Sequence, residues 1–225
     1  MKNIDQICPK LDVLRKLRDQ DRAELTRLVI HKSYQQREII AHHGDIWPYF
    51  MVVEKGLISI TKVSAQGRLL GALRLHVGDA FWSPSFLDEK PLPASLEAKE
   101  DSRGWLWHRE ELLPFIRSNP EAMWDLIQVL ARRMRHASGF VEELGFQPVA
   151  GRLARLILTM AETSDDPQIN RDMTLEEMAA MTGTTSVMVC KLLSRFADKG
   201  MINVSRTDFE LIDKDQLGTL AKASN

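Results

Sequence analysis

Between Met123 and Leu144 the apolar residues fall at Met123, Ile127, Leu130, Met134, Ala137, Val141 and Leu144, with gaps that alternate four and three. A 3.5-residue period keeps one narrow stripe turned toward a partner helix, so the pattern predicts a coiled-coil seam. The flanks are polar, with Arg132, Arg133, Arg135, His136, Glu142 and Glu143, and Gly139 is the one helix-weakening residue inside. Pro120 suits a first helical turn and Gly145 a stop. Such a helix is about 33 Å long, enough to connect two domains. The seven seam residues are expected at a two-fold homodimer interface; a long helix packed on its own domain is the alternative.

Upstream, Leu14 and Leu17, then Leu25, Leu28 and Val29, carry a helical period, so Leu11 to Ile30 predicts one or two short helices, with Asp19 capping the second. From Ser33 the period changes. Glu38 to Ile40, Tyr49 to Val53, Leu57 to Thr61 and Leu69 to Leu75 are short β-type runs between glycine-bearing turns. Two more, Ala94 to Ala98 and Gly104 to Trp107, precede a short helix over Glu110 to Ser118. Short strands punctuated by glycine predict a sandwich or jelly roll.

After Gln147-Pro148 the pattern is helical again over Val149 to Glu162, with Leu153, Leu156, Ile157 and Met160 inward, until Ser164 to Pro167 breaks it. Thr174 with Glu177 is a capping box that starts the next helix. Ala179 is small enough for a close crossing, Gly183 four residues later permits a turn with positive φ, and Thr184 or Thr185 caps a second helix. Val189 and Leu192 pack that helix on the first. This is the spacing of a helix-turn-helix, whose second helix places its N-terminal residues in the major groove. Two strands, Met201 to Ser205 and Phe209 to Ile212, joined across Arg206-Thr207-Asp208, form a wing, and Asp213 caps a last helix to Leu220.

Charge sharpens this. The 225-residue chain is nearly neutral, at −1, so a polyanion must be met by a local patch. Ser186 to Arg206 holds Lys191, Arg195, Lys199 and Arg206 against Asp198 alone, a strip suited to phosphate. Thr184, Thr185, Ser186, Val187, Lys191, Arg195 and Arg206 are the candidate DNA-binding residues. Two cysteines, Cys8 and Cys190, make no disulfide framework, and no apolar run reaches membrane-spanning length. The N-terminus is too polar for a signal peptide. A cytoplasmic location with no membrane partner is expected. No nucleophile elbow or phosphate loop is present, so no catalytic residue is assigned. His42-His43 with Glu54 is a poor metal set because adjacent strand residues face opposite ways. A cupin-like metal-dependent enzyme is the rival of a different class.

In this order and spacing, Gly56 and Gly67, Val77-Gly78-Asp79, Asn119-Pro120, Ala131-Arg132-Arg133-Met134, Leu144-Gly145-Phe146, Gly151-Arg152-Leu153-Ala154 and the Gly183 turn resemble the cyclic-AMP receptor protein and FNR family of bacterial transcription regulators. The resemblance covers nearly the whole chain. It implies an α+β architecture: an effector-sensing antiparallel β-roll over residues 1–118, a dimerisation helix over 119–146 and a winged helix-turn-helix over 147–225. It also implies a homodimer on a near-palindromic double-stranded operator, acting on RNA polymerase.

The departures are specific. Relatives that read TGTGA-type half-sites carry Arg and Glu early in the recognition helix and Arg later; here Ser186, Val187 and Lys191 stand there, without the first bidentate guanidinium. Cyclic-nucleotide binders carry Gly-Glu and an Arg-Ser or Arg-Thr pair in the roll. The matching stretches here are Trp82-Ser83 and Leu92-Pro93, and no arginine lies between Arg74 and Arg103. A buried cyclic phosphate would lack its counter-charge. The expected effector is therefore a small, largely apolar or aromatic molecule. Its pocket is expected from Trp82, Ser83, Phe86, Leu96, Met134, Ala137 and Ser138, with Ser95 as a further polar anchor. Haem is the alternative cofactor: Cys8-Pro9 is a dipeptide of some haem sites, although the ligand positions of the family's haem-binding CO sensor fall on Trp82 and Pro84 here. Iron–sulfur ligation in its usual four-cysteine form is excluded within one chain.

Overall fold

The computed structural model describes residues 11, 13–63, 69–162, 168–170, 173–205 and 208–222. The chain divides into two compact units, Met1–Lys62 with Leu73–Arg135, and Val63–Ala72 with His136–Asn225. The division falls within the seam helix, between Arg135 and His136, and its first turns are packed in the first unit's core through Ala122 and Leu126.

In the first unit a short 3₁₀ turn, Leu14–Lys16, leads to α1 (Asp19–Leu28). The N-cap is Arg18, not Asp19; the Asp19 carboxylate instead takes the Arg22 guanidinium one turn on. The helical region also ends earlier than its apolar pattern suggests, because Ile30 already opens β1 (Ile30–Tyr34). There follow β2 (Ile39–Ala41), β3 (Tyr49–Lys55), β4 (Ile58–Val63), β5 (Leu69–Leu75), β6 (Ala80–Trp82), α2 (Pro84–Asp88), β7 (Ser95–Ala98), β8 (Ser102–His108), α3 (Arg109–Arg117) and α4 (Pro120–Phe146). The strands form two four-stranded sheets, ordered β1-β8-β3-β6 and β2-β7-β4-β5. Strands β1, β6 and the α2 turn lie where the sequence pattern predicted none.

The unbroken apolar run of β3 is explained by cover on both faces. Met51 and Val53 enter the interior of the roll with Ile58, Leu75, Phe81, Leu96 and Leu106. Phe50 and Val52 face outward into a second cluster with Trp82, Phe86, Trp105, Trp107, α1, α3 and the start of α4. Trp107 Nε1 donates to the Leu25 carbonyl at 2.8 Å, fastening α1 to the sheet. Two turns share the pattern His-x-Gly-Asp: the His42 and His76 amides donate to the Asp45 and Asp79 carboxylates, each at 2.8 Å.

Helix α4 is capped by Asn119, whose Oδ1 accepts from the Glu121 and Ala122 amides at 3.1 Å. It passes through Gly145, the expected stop, to Phe146. Ala122, Asp125 and Leu126 are buried on one face, while Ile127, Leu130, Met134 and Val141 are exposed on another. The helix is thus packed on its own domain at its start and presents the heptad stripe outward.

The second unit continues with α5 (Val149–Glu162), β9 (Gln168–Asn170), α6 (Leu175–Thr182), α7 (Ser186–Asp198), β10 (Ile202–Val204), β11 (Asp208–Leu211) and α8 (Lys214–Lys222). Leu153, Ile157, Met178, Val189, Leu192, Phe196, Ile202, Phe209 and Leu217 make one core. The wing is a three-stranded antiparallel sheet, β10-β11-β9, to which β9 adds a strand that the pattern did not reveal.

Candidate nucleic-acid interface and effector region

The capping box forms as spelled: Thr174 Oγ1 accepts the Glu177 amide at 3.1 Å, and Glu177 Oε2 accepts the Thr174 amide at 2.9 Å. Helix α6 ends at Gly183, in the left-handed region at φ +61°, and the Thr184 amide closes the turn on the Ala179 carbonyl at 2.9 Å. Of the two candidate caps, Thr185 is the one used; its Oγ1 accepts the Met188 amide at 3.3 Å. Thr184 is half-buried in the turn.

Helix α7 buries Val189, Leu192, Leu193 and Phe196. Its opposite face is open: Ser186, Val187, Cys190, Lys191, Ser194 and Arg195 are exposed, Val187 at 77%. Their spacing is that of one helical stripe. Cys190 and Ser194 were missed as candidates, although i+3 and i+7 from Val187 would have found them. The stripe combines an apolar side chain, hydroxyls and two cations, the mixture that meets thymine methyls, base edges and phosphates. Lys199 is exposed one turn further. Arg206 lies outside the described residues.

Within the roll, the proposed effector residues Trp82 and Phe86 fall in one cluster and Leu96 in another. Strand alternation sends Phe81 into the roll with Leu96, and Trp82 to the outer cluster with Phe86. Trp82 stacks on Phe50 with ring centroids 3.9 Å apart, and Phe86 meets its edge at 5.5 Å. These aromatics fill core. The indole packed there supplies no haem ligand, and Cys8 lies outside the described residues. Met134, Ala137 and Ser138 are exposed, and Ser95 Oγ is occupied by the His43 amide at 2.9 Å. Ser83 Oγ is buried without a hydrogen-bond partner among the described residues. Arg133, read from the sequence as a polar flank of the seam, holds the Trp82 carbonyl at 2.8 Å, and burial pulls its guanidinium below the usual arginine range. Among the described residues no three His, Cys, Asp or Glu side chains gather as metal ligands, and no helix is long and apolar enough to cross a membrane.

Two family models match: a cyclic nucleotide-binding domain over residues 31–119 and a Crp-like helix-turn-helix domain over residues 151–220. The chain is 24% identical over 224 residues to the CRP-like cAMP-activated global transcriptional regulator of Mycobacterium tuberculosis, covering 97% of this chain and 100% of the relative. It is 28% identical over 192 residues to the cyclic AMP receptor protein of Thermus thermophilus, covering 84% and 87%. It shares the fold of FixK2 from Bradyrhizobium japonicum, with a TM-score of 0.74, 21% identity and coverage of 88% and 99%. The two matches thus fall on the roll and on the winged helix-turn-helix, and the chain belongs to the Crp/Fnr family of transcription regulators, with a helix-turn-helix that binds DNA.

Proposed function

We propose that the protein acts as a homodimer whose two α7 helices read a near-palindromic operator, under the control of an effector that is not a cyclic nucleotide. The observation that carries the reading is the open face of α7, where Val187, Lys191 and Arg195 share an exposed stripe that no described residue covers. The dimer is supported by the exposed apolar stripe of α4, which places Met134 at 70% exposure and Val141 at 68%. An apolar row at heptad spacing is stable in water when a second copy covers it. RNA polymerase is the partner through which the bound dimer acts.

The effector reading is supported by the wall chemistry of the roll. Its interior is packed with Met51, Ile58, Leu92 and Leu96, and no arginine lies between Arg74 and Arg103. A buried cyclic phosphate costs several kcal/mol to desolvate without a cation and donors. A small apolar or aromatic effector fits these residues better.

Selection of binding sites from random duplexes tests the reading. An inverted repeat with A·T-tolerant half-sites is expected, because Val187 meets thymine methyls and Ser186 bonds several bases. Lys191→Ala should lose affinity mainly at one base position, whereas Arg195→Ala should weaken all sequences alike. Recovery of TGTGA with its inverted repeat would contradict the assigned readout.

A further inference from the structure

We infer that Arg152 is a positioning residue for operator recognition, because its guanidinium locks the last turn of α4 to the turn that launches the recognition helix. The inference rests on the dimer-and-operator reading above. Arg152 lies on the first turn of α5 and is buried at 8% exposure. Its Nε donates to the Thr182 carbonyl at 2.8 Å, and its Nη1 donates to the Gln147 carbonyl at 2.5 Å and the Glu143 carbonyl at 3.3 Å. Thr182 is the last residue of α6, and Glu143 and Gln147 flank the end of α4. Two helix C-termini therefore converge on one side chain. Each end carries orphan carbonyls and the negative pole of its helix, so a buried cation is stabilised there with no carboxylate among the described residues in hydrogen-bond contact. The Glu143 carboxylate binds Arg155, which also donates to the Ala221 carbonyl at 3.0 Å.

Only arginine suits the position. Its rigid fork serves carbonyls from two directions at once, whereas a lysine ammonium on a flexible stem does not fix their mutual angle. Gly183, the next residue after Thr182, turns the chain into α7 through Thr185. The orientation of Thr182 is thus the orientation of the reading helix. A swing of about 10° over a helix of about 20 Å moves its end by roughly 3 Å, the spacing of a base pair. Within the second unit Arg152 therefore sets the angle between the end of α4 and the turn before α7, and in the dimer proposed above the spacing of the two reading heads depends on that angle.

The test uses full-length protein and the inverted-repeat duplex that the wild type selects, remade with its centre one base pair shorter or longer. Wild type should lose affinity about tenfold at either altered spacing, a penalty of the size of a mismatched base pair. Arg152→Gln should bind the parent duplex more weakly yet discriminate among the three spacings less than about threefold. Arg152→Lys, which keeps the charge and is the variant to rely on if Gln does not fold, should fall between them. Arg155→Gln should keep the wild-type profile. Loss of active protein alone lowers stoichiometry without flattening the profile. A variant at Arg152 that keeps the wild-type spacing profile overturns the inference. A wild type indifferent to spacing instead removes the dimer reading, and the inference with it.

Discussion

A methyl of Leu144 occupies the space that a side chain on Gly183 would need: an ideal Cβ there would stand 2.3 Å from Leu144 Cδ2. Leu144 was read as the last residue of the seam, and it is seated on the turn of the helix-turn-helix. Gly183 is required by its φ of +61°, and a side chain there would also displace the Leu144 methyl.

Gly183→Ala is accordingly expected to destabilise the second unit. The left-handed backbone costs about 1–2 kcal/mol. The Leu144 methyl ends a flexible side chain that is 37% exposed, so it can move aside, and adding Leu144→Ala should leave the backbone part in place. Guanidinium unfolding followed by circular dichroism measures this. An unchanged midpoint in Gly183→Ala would falsify the backbone argument.

The heptad stripe yields a cleaner experiment because it is open in the single chain. Ile127 is 47% exposed and Leu130 38%, so replacing both by Asp leaves the roll core intact. In a dimer the same change buries unpaired charge, which costs several kcal/mol. Sedimentation velocity should show dimer for the wild type and monomer for the double variant. A double variant that sediments as the wild type places the interface elsewhere.

For the effector, titration calorimetry with cyclic AMP and cyclic GMP should give no saturable heat at micromolar ligand. The residues behind this are Trp82, committed to a stack on Phe50, and the apolar Leu92 and Leu96 of the interior. Micromolar binding of either nucleotide by the unaltered chain would sink it.

What could be read from the sequence was local. The Thr174–Glu177 box, the Gly183 turn, the Thr185 cap and the inward Val189 and Leu192 are each set by neighbours within one or two turns, and all form. The heptad stripe was legible for the same reason. Strands with partners far along the chain were not. Strand β9 is three residues held by β11 some forty positions later, and β1 pairs with β8 across the whole roll. The two fates of the aromatic stretch were not legible either: Phe81 and Trp82 are adjacent in sequence and opposite in the sheet, so the stretch makes two core contributions. Arg152 was visible only within a motif, because its acceptors at 143, 147 and 182 share no local pattern.

The central claim is that two copies of α7 read one duplex. Hydroxyl-radical footprinting of wild-type protein on its selected operator measures this directly. Two protected tracts, related by inversion and centred about one helical turn, roughly 34 Å, apart are predicted. A single protected tract, or protection that spreads without preference over the duplex, would contradict it.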